Sequence, residues 1–182
     1  MKSLEEKTLS TQPIFKGKVV SLQVDEVELP NGKKAKREII KHPGAVAIIA
    51  ITEENKLVLV EQYRKALERT IVEIPAGKLE KGEAPAECAK RELEEETGYE
   101  CQTLELVNSF YTSPGFADEI VHVYLAKGLT KKANAAELDE DEFVNLLEWS
   151  LEEALQAIEE KQIYDAKTVF AVQYLQLQEG LK

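Results

Sequence analysis

Two cysteines and two histidines in 182 residues leave little material for a metal centre built on sulfur and imidazole. Cys88 and Cys101 do not make a disulfide framework, and no Cys/His cluster has the spacing of a zinc site. Long hydrophobic runs are missing too: the longest, Ala45 to Ile51, is far too short to cross a bilayer. The start, Met1-Lys2-Ser3-Leu4-Glu5-Glu6-Lys7, lacks the apolar stretch of a secretory signal. These absences lead us to expect a cytoplasmic protein with free thiols and no membrane partner. Positive charge is also short, with 23 Lys and Arg against 34 Asp and Glu and a formal net charge of −11. That balance argues against nucleic-acid binding, which depends on neutralising phosphates with Lys and Arg. It would equally oppose a small anionic substrate, unless bound cations invert the field locally. A phosphate-handling enzyme this acidic should therefore depend heavily on metal.

What is present describes an ordinary globular domain, with 43% hydrophobic and 31% charged residues and no internal repeats or low-complexity tracts. Residues 18–29 alternate as a strand, Pro30-Asn31-Gly32 turns the chain, and Ala35 to Lys41 returns as its partner. Apolar strands are predicted at 45–51 and 56–63. Another at 70–74 ends abruptly at Pro75-Ala76-Gly77, and further strands are expected at 103–109, 119–126 and 142–149. Residues 85–97 read as a helix, with Pro85 suited to the first turn and Gly98 to the exit. Ser150 and Glu153 have capping-box spacing for a second helix to about Glu160. Asp165 can cap a third that ends before Gly180. Mixed strands with three dispersed helices predict an α/β sandwich.

The chemistry concentrates between Gly77 and Tyr99, where a strand end and a loop lead into a helix loaded with carboxylates. Glu92, Glu95 and Glu96 stand at i, i+3 and i+4, so all three project from one helical face. Like charges at that spacing destabilise a bare helix. Taken alone, the helix reads most simply as a solvated surface element. The other reading is an oxygen-rich site for Mg²⁺ or Mn²⁺, whose remaining coordination goes to water and phosphate. Cys88, Ala89 and Leu93 form the opposite, core-facing stripe.

The whole segment decides between the two. Gly77, Glu83, Arg91, Glu92, Leu93, Glu95, Glu96 and Gly98 occur in the order and spacing of the Nudix box, which this segment resembles. Tyr99 departs from the usual aliphatic residue at the last place. The resemblance implies an α/β/α sandwich with a mixed sheet and a metal-dependent hydrolase of nucleoside diphosphates linked to another group. Pro114 lies sixteen residues after Gly98, as in the ADP-ribose branch of that family. Arg37-Glu38, Glu61-Gln62-Tyr63-Arg64 and Glu73-Ile74-Pro75-Ala76-Gly77 also look like segments of that branch. The implied reaction is hydrolysis of ADP-ribose to AMP and ribose 5-phosphate. Other nucleotide sugars or dinucleotides are the alternative substrates, and a non-catalytic ADP-ribose-binding module is the alternative class.

By the same resemblance Glu92, Glu95, Glu96 and the carbonyl of Ala76 are the expected ligands of Mg²⁺ or Mn²⁺, with more than one ion per site. Glu83 and Arg91 are expected to orient loop and helix through a charge-assisted bond. The catalytic base is expected in the acidic run 137–142, as Glu142 or Glu140, although such runs are often merely solvated. Arg64 suits either a phosphate or a strand-end salt bridge, and Arg37 has the same two readings. Ser113, Gly115 and Glu119 are candidates for the terminal-ribose pocket, where a plain Ser-Pro-Gly turn is the alternative for the first two. Phe15 is expected in the core, and His122 in a structural role. Residues 1–43 are expected to form an N-terminal β-hairpin that pairs two copies as a homodimer, with the hydrolase domain spanning 44–182.

Overall fold

The computed structural model describes residues 3–132 and 143–180. Two compact units emerge, one comprising Met1–Gly44 with Tyr111–Ile120, the other Ala45–Phe110 with Val121–Lys182.

In the first unit β1 (Lys7–Lys16), β2 (Ser21–Glu28) and β3 (Lys34–Lys41) form an antiparallel sheet in that order. The expected hairpin is β2–β3, closed by a turn in which Gly32 adopts φ 79° and donates its N–H to the Leu29 carbonyl at 2.8 Å. Strand β1 was not expected. Its sequence carries no alternation that would bury one face, and all ten of its residues are exposed. It exists by backbone pairing with β2, and as an edge strand it tolerates Pro13, which sits at an irregularity of the register. Phe15 lies on this strand 58% exposed, so the expected core aromatic is a surface residue. Segment 111–120 joins the unit through Ile40, whose N–H donates to the Phe116 carbonyl at 2.8 Å. The Asp118 carboxylate accepts from the His42 N–H at 2.8 Å and from Lys41 Nζ at 2.9 Å.

The second unit is built on a seven-stranded mixed sheet. Its spine runs β10 (Val144–Trp149), β5 (Leu57–Arg64), β4 (Ala45–Ile51), β9 (Ile120–Lys131), β8 (Tyr99–Tyr111). Strand β6 (Arg69–Glu73) pairs with β5, and β7 (Ala76–Lys78) with β4. The β4–β9 pair is parallel and the β4–β5 pair antiparallel, which makes the sheet mixed. The apolar run of β4 is continuous because both of its faces are covered. Ala47 and Ile49 enter one core cluster with residues of α2 (Leu151–Glu159) and α3 (Ala166–Gly180). Val46, Ile48 and Ala50 enter another with Cys88, Ala89 and Leu93 of α1 (Pro85–Thr97). The expected α/β/α sandwich is the observed arrangement; among the described helices, α1 packs on one face of the sheet and α2 and α3 on the other. No described helix is long and apolar enough to cross a membrane.

Local signals placed the helices well. Pro85 opens α1, Gly98 closes it at φ 71°, and Ser150 with Glu153 forms a complete capping box on α2. Helix α3 runs through Gly180 instead of stopping before it. The chain does not end its pairing at Pro75 either. The Pro75 carbonyl accepts from the Ile48 N–H at 2.8 Å, and β7 resumes the ladder at once, with Ala76 opposite Ala47 and Gly77 opposite Val46.

Candidate active site

Strand β7 and helix α1 bring the carboxylates of the motif together in the second unit. Glu92 and Glu96 are buried, at 9% and 6% exposure, and Glu95 is less covered. Glu96 is gripped at both oxygens: the Gln62 amide donates to Oε1 at 3.0 Å and the Ala76 N–H to Oε2 at 2.9 Å. Ala76 thus meets the acidic helix directly, beside the strand end where the sequence placed it.

Arg91 organises the remaining acids. Its Nε and one terminal nitrogen fork onto Glu83 at 3.0 and 3.1 Å, while the other terminal nitrogen donates to Glu92 and Glu95, both at 2.8 Å. One guanidinium therefore offsets the repulsion that the i, i+3, i+4 spacing creates, and ties the loop to the helix. The Arg91 hydrogen bond holds the Glu83 carboxyl at about 2, far below its ordinary 4.5. Glu83, lowered on folding, stabilises the protein fully above about pH 4.5 and loses that contribution as pH falls through about 2. Glu83→Gln is therefore expected to lower the melting temperature at pH 7, and the gap to wild type should close as pH approaches 2. A gap independent of pH would remove the ion pair as its cause. Burial, aided by Glu83, pushes the Cys88 thiol up to about 12, which leaves it protonated and unfit as a nucleophile at neutral pH.

Gly77 leaves the Glu92 carboxyl its place. A Cβ there would lie 1.8 Å from Cδ and 1.9 Å from Oε1 of Glu92, so the carboxyl occupies the space any side chain would need. Among the described residues no three carboxylate, imidazole or thiol groups form a ready-made cage. Mg²⁺ does not require one, because it keeps several waters and takes one or two carboxylates. Buried acids concentrated on one helix, beside a glycine that makes room for one of them, suit a hard divalent cation. Gly77→Ala is expected to displace Glu92 and weaken Mn²⁺ binding about ten- to hundredfold, the range for disturbed ligand orientation. Titration with unchanged affinity would show that the position of Glu92 is immaterial.

The other candidates are placed as follows. Arg64 makes a two-point pair with Glu73, a residue 3% exposed that also meets Lys167 Nζ at 3.1 Å. Burial pushes the Glu73 carboxyl up, but Arg64 and Lys167 outweigh it and hold the group below its ordinary value. Of its two readings, Arg64 here realises the strand-end salt bridge. In the first unit Arg37 forks onto Glu6 at 2.9 and 2.6 Å, again a salt bridge. There too, the Ser113 carbonyl accepts from the N–H groups of Phe116 and Ala117 at 3.1 and 2.9 Å, forming a turn around Gly115. Glu119 accepts from the Thr112 hydroxyl and lies 3.7 Å from His42 Nε2. His122 Nδ1 pairs with the Ser109 hydroxyl at 2.8 Å. Glu140 and Glu142 lie outside the described residues. Sequence reasoning did not single out Gln62. Its signal was faint: it follows the apolar run Leu57 to Val60 of β5 and shares the strand face of Val58 and Val60 as a polar residue buried at 8% exposure.

The chain is similar to known proteins over most of its length. Residues 41–171 match the profile of the NUDIX domain. Residues 6–40 match that of the nucleoside diphosphate sugar hydrolase N-terminal domain. The chain is 72% identical over 181 residues to the methanol dehydrogenase activator of Bacillus methanolicus, covering 100% of this chain and 98% of that one. It is 63% identical over 182 residues to the ADP-ribose pyrophosphatase of Bacillus subtilis, with the same coverage of 100% and 98%. The ADP-ribose pyrophosphatase of Mycobacterium tuberculosis is 42% identical over 123 residues, 67% of this chain and 59% of the relative. A crystal structure of an ADP compounds hydrolase superposes with a TM-score of 0.85 at 22% identity, covering 98% of this chain and 96% of that one, a likeness of fold. A profile covering most of the chain and relatives of high identity over its full length agree with the folded motif: the chain belongs to the Nudix family.

Proposed function

We propose that this chain hydrolyses the diphosphate of ADP-ribose to AMP and ribose 5-phosphate with the help of divalent metal ions. One observation carries the reading: β7 and α1 bury Glu92 and Glu96 on a shared site, with Gly77 leaving room for the first. The full-length likeness to the Bacillus subtilis ADP-ribose pyrophosphatase supports the substrate.

Glu92, Glu95, Glu96 and the Ala76 carbonyl are the residues proposed to hold Mg²⁺ or Mn²⁺, more than one ion per site. When bound, such ions neutralise the diphosphate, polarise a phosphoryl oxygen and lower the pKa of the attacking water. Water adds to one phosphorus, the bond from that phosphorus to the bridging oxygen breaks, and two phosphomonoesters leave. Glu142 or Glu140 is proposed to take the water's proton. Arg64, Arg37, Ser113, Gly115 and Glu119 are kept as proposed substrate contacts. For Arg64 this requires sharing a guanidinium already engaged by Glu73.

Ranking kcat/KM across ADP-ribose, other ADP- and UDP-sugars and dinucleotides tests the substrate. A better substrate elsewhere in that series would replace ADP-ribose in the reading. The relative at 72% identity motivates a second reading, action on an alcohol dehydrogenase. Adding the chain and Mg²⁺ to a methanol dehydrogenase tests it, and unchanged dehydrogenase turnover would discard it.

We also propose that two copies pair through the N-terminal sheet. Ile14 and Phe15 of β1 are 51% and 58% exposed, apolar surface that a partner would cover. Sedimentation is expected to give a dimer at micromolar concentration; a fully active monomer would rule this out.

A further inference from the structure

The geometry points to Gln62 as the residue that positions Glu96 for metal, an inference that rests on the metal-dependent reading above. Gln62 is 8% exposed and stands on the sheet face that otherwise contributes Val58 and Val60 to the core. A polar group so deep is retained at a cost unless its partners are complete. Its Nε2 donates to Glu96 Oε1 at 3.0 Å. Only the NH₂ half of the amide can face a carboxylate oxygen, so Glu96 itself fixes which way the amide points. The other half is then left over: Gln62 Oε1 is buried and has no hydrogen-bond partner among the described residues.

Both facts have one explanation. With the Ala76 N–H on Oε2, the Gln62 amide on Oε1 completes a two-point clamp that sets the plane of the Glu96 carboxylate. Strand β5 thereby reaches across 34 positions in sequence to a residue of α1. With a hydrated cation bound, the leftover Oε1 would serve as an acceptor for a water. An apolar residue at position 62 would have joined the core more cheaply, but would take the amide donor away from Glu96 Oε1.

The test compares Mn²⁺ affinity, read by electron paramagnetic resonance on substrate-free protein, in wild type, Gln62→Met and Gln62→Asn. Met keeps the length and removes the amide; Asn keeps the amide and withdraws it by one methylene. Ser150→Ala, which removes the capping box of α2, is the control for stability lost elsewhere. Both Gln62 variants are expected to raise the Mn²⁺ Kd about ten- to hundredfold, as loss of a partner that orients a metal ligand does. Ser150→Ala should lower the melting temperature and leave the Kd within about twofold, because a lost cap acts on the helix end. A folded Gln62→Met or Gln62→Asn with wild-type Kd, or a control that weakens Mn²⁺ as much as they do, would overturn the role of Gln62 alone. Wild-type protein that takes up no Mn²⁺ would overturn the metal-dependent reading together with it.

Discussion

Glu96→Gln is expected to lower kcat at least about a hundredfold, since removing a proposed direct ligand should cost no less than disturbing an outer partner. The substitution keeps side-chain size and helix propensity but removes one negative charge from the cluster. Part of its structural cost can be read from Gln62 and Ala76, which both donate to this carboxylate. Gln62 Nε2 and the Ala76 N–H each occupy one oxygen, and a glutamine offers only one oxygen and an NH₂ group. Gln62 can turn its amide so that its unpartnered Oε1 accepts from the new NH₂ group, which keeps the cost at or below the roughly 1–3 kcal/mol of one unpaired buried group. That is tolerable within the roughly 5–15 kcal/mol stability of a domain. The variant should therefore fold, melt at a lower temperature and fail in turnover. Near wild-type hydrolysis at saturating Mg²⁺ would remove Glu96 from the essential ligands.

A loss of similar size is expected in the acidic run before β10. Carboxylates committed to a cation have lowered basicity and make poor proton acceptors. The base should therefore come from a glutamate off helix α1, and Glu142 and Glu140 are the proposed candidates. Replacing each by Gln should show one variant losing at least about a hundredfold in kcat, the lower range for removing a general base. KM should change much less, because the base acts on the water and not on the bound sugar nucleotide. If both single variants and the double variant keep normal kcat, the base lies elsewhere and the run is acidic surface.

The parts of the site that were legible in the sequence are the ones set by local spacing. Glu92, Glu95 and Glu96 share a helical face because 3.6 residues make a turn, and Pro85 and Gly98 bound that helix for reasons of backbone geometry. The Glu83–Arg91 bond spans only eight positions and was anticipated. What spacing cannot show is a partner brought in by sheet register. Gln62 meets Glu96 across 34 positions, and its polarity at an inward place on β5 was the only trace of that contact. Arg64 was readable as a phosphate ligand or a salt bridge because its partner Glu73 arrives on the next strand. Gly77 could be recognised as a motif position, yet the reason for it, a carboxyl lying where its side chain would be, is a distance. Strand β1 escaped because hydrophobic alternation reports burial, and a strand with every residue exposed has none. The misplacement of Phe15 follows from the same blind spot.

The central claim is that this chain breaks the diphosphate of ADP-ribose between its two phosphorus atoms. Phosphorus NMR of ADP-ribose incubated with the protein and Mg²⁺ tests it most directly, because it reports turnover and the bond broken together. The paired diphosphate resonances should give way to two phosphomonoester signals of equal intensity, matching added AMP and ribose 5-phosphate, and chelation of the metal should stop the change. Diphosphate resonances that persist with Mg²⁺ or Mn²⁺ present, or that survive as ADP while the ribose departs, would contradict the account.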